Sequence, residues 1–151
     1  MGITVRGIKA VKDMLGAIVR ATKVPRVTIE LDDEFQEQKA KWLMNGTKRM
    51  VARDFGYINA KVINAMGAAW LAGLIRVKAG ADPETPGLLM GKAYLKILID
   101  RIAFSGGDVH NQMAKLKPAT IAKKKGSTRL FFDTGAMLRA FKGATINVEL
   151  R

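Results

Sequence analysis

The chain has 151 residues, 48% of them apolar and 26% charged, a composition that fits one globular domain and excludes a disordered or collagen-like chain. It contains no cysteine, which excludes a disulfide framework, a zinc–thiolate site and a thiol nucleophile and fits a reducing compartment. Its 26 basic and 13 acidic residues leave a net charge of +13, a field that favours polyanionic partners and says nothing about fold.

The first residues show no basic segment followed by an apolar one, so no secretory leader is expected. Arg6 stands where a myristoylation signal needs Ser or Thr. Residues 2–6, GITVR, alternate like a short strand. Ile8, Val11, Leu15 and Ile18 then follow the spacing of an amphipathic helix, which should stop near Thr22 because Pro25 lacks a backbone donor. Residues 26–31 are β-branched and alternating, as in a short strand or an extended connector.

Asp32 is a good N-cap for the next helix, and Asp33 and Glu34 suit the positive end of its dipole. Phe35, Ala40, Trp42, Leu43 and Met44 would face the core, with a break at Asn45 and Gly46. A second helical pattern covers residues 48–79, divided near Gly56, so that a long central helix is expected at 57–79. Ala65, Ala68, Ala69, Ala72 and Gly73 form a small-residue seam along it. Its uncharged stretch, 62–75, falls short of the ~20 residues of a membrane span and reads as a buried helix, so no membrane is expected as a partner.

Residues 80–87, GADPETPG, have the composition of a loop. Residues 88–104 are long enough for a helix, although 94–99 would also suit a strand. SGGD at 105–108 is a turn, and the alternating residues 145–150, TINVEL, are the clearest strand. The expected fold is therefore α+β: a helix-dominated single domain over 1–151 with a small antiparallel sheet.

Catalytic chemistry is poorly supplied. His110 is the sole histidine, and a lone loop histidine is more often a surface residue than a base, because base work needs an oriented partner. Asp32, Asp33, Glu34 and Glu37 suit a charged helix start better than a cation site. GLLMGKA at 87–93 is one residue short of a phosphate loop, and Ala93 stands where the magnesium-binding hydroxyl belongs. No enzyme, cofactor or metal is expected.

Residues 116–138, LKPATIAKKKGSTRLFFDTGAML, pose the main question. Asp133-Thr134-Gly135 matches the aspartic-protease triplet, but a protease needs two such aspartates sharing a proton and this chain has one triplet. Met137, Leu138 and Phe141 follow on one helical face, so Asp133 reads as an N-cap. Upstream, Pro118 suits the first turn of a short helix anchored by Ile121 and ended by Gly126. Around it cluster Lys115, Lys117, Lys123, Lys124, Lys125 and Arg129: either a solvated face or a contact surface for phosphates or an acidic partner. No aromatic residue interleaves them, so base stacking is poorly supported.

The order of Leu116, Pro118, Thr120, Ile121, Lys125, Leu130, Asp133, Thr134, Gly135 and Leu138 resembles a motif of the tail-completion and neck proteins of tailed bacteriophages, which include virion-morphogenesis and head–tail joining proteins. Met113 and Ala114 stand where many relatives carry an aromatic residue. The resemblance implies a structural virion protein, located in the neck or tail and in the host cytoplasm during assembly. It would form a hexameric or dodecameric ring with neighbouring connector, tail-terminator or tail-tube proteins, with non-specific contact to channel DNA a further possibility. The rival reading, from charge alone, is a free basic DNA-binding protein.

Overall fold

The computed structural model describes residues 8–23, 25–131 and 135–151. The expected strand at 2–6 lies outside them. The described elements are α1 (Ile8–Ala21), β1 (Pro25–Glu30), α2 (Glu34–Asn45), α3 (Ala60–Lys78), α4 (Thr85–Ala103), a short 3-10 helix (Gly107–Gln112), α5 (Pro118–Lys123), α6 (Ala136–Lys142) and β2 (Thr145–Leu150). The fold is helix-dominated α+β with one antiparallel two-stranded sheet.

Helices α3 and α4 form an αα-hairpin, the most extensive packing in the molecule. Gly73 of α3 sits against Pro86 in the first turn of α4: a Cβ there would lie 2.3 Å from the Pro86 Cα. Pro86 is tolerated so early in a helix because its missing N–H is one of the donors no helix can satisfy. The loop expected at 80–87 is therefore shorter, since its last three residues already belong to α4.

The sheet lies on α4. Val27 pairs with Val148 and Ile29 with Ile146, and these four face inward while alternate residues face out. Two strands alone are marginal in water, so a covering helix is needed. Gly87 and Gly91, four apart on one face of α4, let the sheet approach: a Cβ on Gly91 would lie 2.7 Å from Val27 and Ile146, and one on Gly87 2.7 Å from Val148. The glycines that imitate a phosphate loop in sequence are thus a seat for the sheet in mid-helix. The strand alternative for 94–99 is overruled by the same helix, which buries Leu95 and Leu98 in the core.

The core gathers Leu43 of α2, Leu95, Leu98 and Ile102 of α4, Val109, Leu130, Phe131, and Met137 and Phe141 of α6 around Phe55. Phe55 meets Phe131 and Phe141 edge to face, with ring centroids 5.2 and 5.7 Å apart. It comes from an irregular segment, where the sequence pattern suggests helix. That segment is not helical between residues 51 and 59, and α3 begins only at Ala60, capped by Asn59, whose side chain accepts from the Val62 amide at 3.1 Å.

Three further expectations need correction. Asp33, not Asp32, caps α2, its Oδ1 accepting from the Gln36 amide at 3.0 Å. Ala40 and Leu43 are buried, but Phe35 and Trp42 are exposed, because only one narrow side of α2 meets the core. Most consequentially, α3 is not a buried helix. It buries Val62, Gly73 and Val77 and leaves Ile63, Leu71 and Ile75 60%, 57% and 70% exposed. Within the small-residue seam, Gly73 is buried while Ala68 and Ala72 face solvent. Helix α1 packs against α3 yet exposes Leu15 and Val19, so this helix pair carries apolar surface that the described residues do not cover. By length and composition α3 also meets the requirement for a membrane-crossing helix.

Candidate partner interface

A groove of about 340 Å³ runs between α2, the segment after it and the irregular approach to α5. Among the described residues its ionisable lining is Lys39, Arg49, Arg53, Lys115, Lys117 and Lys124, with no acidic side chain. Beneath them Leu43, Met50, Leu116, Leu130 and Phe131 form an apolar floor.

Local structure explains how the two sides meet. Gly46 ends α2 with φ 75°, and a Cβ there would lie 2.9 Å from the Met50 carbonyl oxygen, so the chain can turn sharply only with glycine at this position. Thr47 and Met50 close the turn with paired backbone hydrogen bonds of 2.8 and 3.2 Å, which places Lys48 and Arg49 at its tip. Arg53 then ties this segment to the far wall. It is 8% exposed, its Nε donates to the Ala114 carbonyl at 2.7 Å, and its Nη2 donates to that of Lys115 at 3.1 Å. Residues about sixty apart in sequence are thereby held as two walls of one groove.

On the far wall, α5 starts with Pro118 in its first turn, as its sequence indicates. The helix ends where Lys125 and Gly126 take left-handed φ values of 53° and 83°. Lys124 Nζ donates to the Arg129 carbonyl at 2.5 Å and closes the following loop, and the Leu130 amide donates to Ser105 Oγ at 3.2 Å.

The structure divides the basic cluster. Lys115, Lys117 and Lys124 line the groove together with Leu116 and Thr120 of the motif. Lys123, Lys125 and Arg129 are exposed outside its lining. Ile121 is half-buried and faces a neighbouring hollow shared with Ser105, His110 and Leu130. Asp133 and Thr134 lie outside the described residues, so the capping assignment does too. Gly135 stands at the N-cap of α6 with φ 76°, and Leu138 is half-buried against the core. Lys39, Arg49 and Arg53 were missed by sequence reasoning. They sit in α2, the turn after it and the irregular segment beyond, with no family-like pattern, and core packing of Leu43 with Leu130 and Phe131, together with the Arg53 bridge, brings them to the motif.

A second charged cluster is structural. Arg101 is fully buried. Its Nε and Nη2 grip Asp108 at 2.9 and 3.1 Å, and its Nη1 donates to the Phe55 and Tyr57 carbonyls at 2.8 and 2.6 Å. Asn59 adds a hydrogen bond to Asp108 at 2.8 Å. The Arg101 guanidinium holds the Asp108 carboxyl well below the usual carboxylate range, against a smaller upward push from desolvation. Burial, aided by the Asp54 carboxylate, raises the Tyr94 hydroxyl, which stays protonated and donates to the Gly56 carbonyl at 2.6 Å. His110 is exposed, with Nδ1 2.6 Å from the Ser105 carbonyl oxygen, so that nitrogen carries the proton and the ring braces the turn. Among the described residues no three His, Asp or Glu side chains are grouped to hold a metal ion.

No family model, curated protein or solved structure matches the chain.

Proposed function

We propose that this chain is a structural virion protein of the phage head–tail junction, a neck or tail-completion protein that assembles as a ring between connector and tail. The observation that carries the reading is the uncovered apolar face of α3, where Ile63, Leu71 and Ile75 stand exposed on a helix with no charged side chain between Lys61 and Arg76. Contiguous apolar surface of this kind marks an interaction site. Repeated copies joined by heterologous contacts close into a ring when the rotation allows it. The resemblance at residues 116–138 supplies the setting, and the cationic groove beside that motif supplies a second surface for neighbouring proteins.

The net charge of +13 also supports a rival, a free DNA-binding protein. The two readings separate in a complementation experiment. Infections lacking this chain should accumulate filled heads and finished tails that join when the purified protein is added. Unpackaged heads, or normal joining in its absence, would count against the neck. A monomer that binds duplex DNA with steep salt dependence would favour the rival. Flotation of the pure protein with lipid vesicles would assign the α3 face to a membrane.

A further inference from the structure

We infer that the cationic groove receives a short acidic segment of a partner protein, seated by one or more apolar side chains. The inference rests on the assembly reading for the partner being another virion component, but its chemistry is argued from the groove alone. Among the described residues six cationic side chains and no acidic one line the groove, so its field attracts negative charge. Its floor, however, is apolar: half-buried Met50 and Leu116 offer accessible surface over the buried Leu43, Leu130 and Phe131. A nucleic-acid backbone offers phosphates to the rim and nothing to that floor. Bases find a poor platform, because among the described residues Phe131 is the one aromatic side chain in the lining and its ring is packed edge to face on Phe55. A peptide in which carboxylates flank leucine or phenylalanine satisfies both parts at once: rim lysines steer and orient it, and the floor takes the anchor. The volume, near the lower end of ligand-pocket sizes, suits a few side chains rather than a whole docked element. Arg53 acts as a positioning residue, since its two bonds to the far wall hold the groove open before any partner arrives.

The test is fluorescence anisotropy on the full chain at low salt. The probe is a labelled peptide with two leucines and a phenylalanine set among aspartates and glutamates. Its counterpart with serines at the three apolar positions, polyglutamate and a duplex DNA serve as comparisons. The serine peptide should bind roughly tenfold more weakly, a difference the apolar anchor alone accounts for. The triple variant Arg49→Ser, Lys115→Ser, Lys117→Ser should also lose roughly tenfold while keeping its unfolding midpoint, because all three are exposed and exposed charges contribute little to stability. Placing the apolar change on the peptide avoids a floor variant that fails to fold. Equal binding of the serine peptide or polyglutamate, an unaffected triple variant, displacement of the peptide by a lower concentration of DNA, or no peptide binding at all would each overturn the inference. Head–tail joining is scored separately. Peptide binding lost in the triple variant with joining intact sinks the virion reading of the groove and leaves the binding chemistry standing.

Discussion

Arg101 shows how one side chain replaces regular structure. The segment before α3 buries Phe55 without a helix or strand to satisfy its carbonyls, and Arg101 satisfies those of Phe55 and Tyr57. Its Nε and Nη2 bond to Asp108, so the buried charge is both paired and hydrogen-bonded. Arg101→Met should therefore cost about 3 kcal/mol in urea unfolding, the lower end for breaking a buried pair, because Asp108 regains water once released. The pH dependence has a definite sign. Asp108 is held below its unfolded value of about 4, so its contribution is present above that pH and is lost as pH falls below it. Asp108→Asn should lower stability at pH 7 and flatten the acid limb of the stability profile. An unchanged acid limb would show that Asp108 titrates normally in the folded chain.

Packing of the elements turns on glycines that look alike in sequence and act oppositely. Gly73 and Gly67 both lie within α3, where alanine is favoured over glycine by about 1 kcal/mol. At Gly67 a Cβ would meet nothing within 4 Å, so Gly67→Ala should stabilise by about that amount. At Gly73 the same Cβ would fall 2.3 Å from the Pro86 backbone, which cannot move without parting α3 from α4. Overpacking of this kind costs about 1–3 kcal/mol and outweighs the propensity gain, so Gly73→Ala should destabilise. Thermal unfolding of the two variants side by side checks the opposed signs. Two stabilised proteins would mean that the hairpin is looser than this crossing.

For the whole molecule, the salient property is that apolar and charged surfaces are segregated. The α3 face is apolar, and the groove between α2 and α5 is cationic. Replacing exposed residues barely changes folding, so Leu71→Glu combined with Ile75→Lys should leave the unfolding midpoint unchanged while abolishing self-association. Native mass spectrometry reads both species directly. A variant that remains as assembled as the unaltered chain would move the ring contact to another surface. The groove predicts a different signature: joining that weakens with added salt, because rim charges act within a Debye length of about 10 Å at 0.1 M.

The helical period of 8–18, the alternation of 26–31 and 145–150, and Pro118 ahead of a short apolar anchor were all legible in the chain, and each became the expected element. These signals are local: side-chain spacing and backbone restriction act over a few residues and need no partner. Three features were decided only by tertiary structure. Residues 51–59 leave the helical pattern because Phe55 is worth more in the core, and Arg101 satisfies the backbone that results. The apolar α3 looked buried because hydropathy counts residues and not neighbours, whereas the hairpin covers only one side of it. The groove was half visible. Its lysines at 115, 117 and 124 stand together in sequence, but Lys39, Arg49 and Arg53 are brought to them by the shared core of Leu43, Leu130 and Phe131 and by Arg53 hydrogen bonds spanning some sixty residues, which no local pattern encodes.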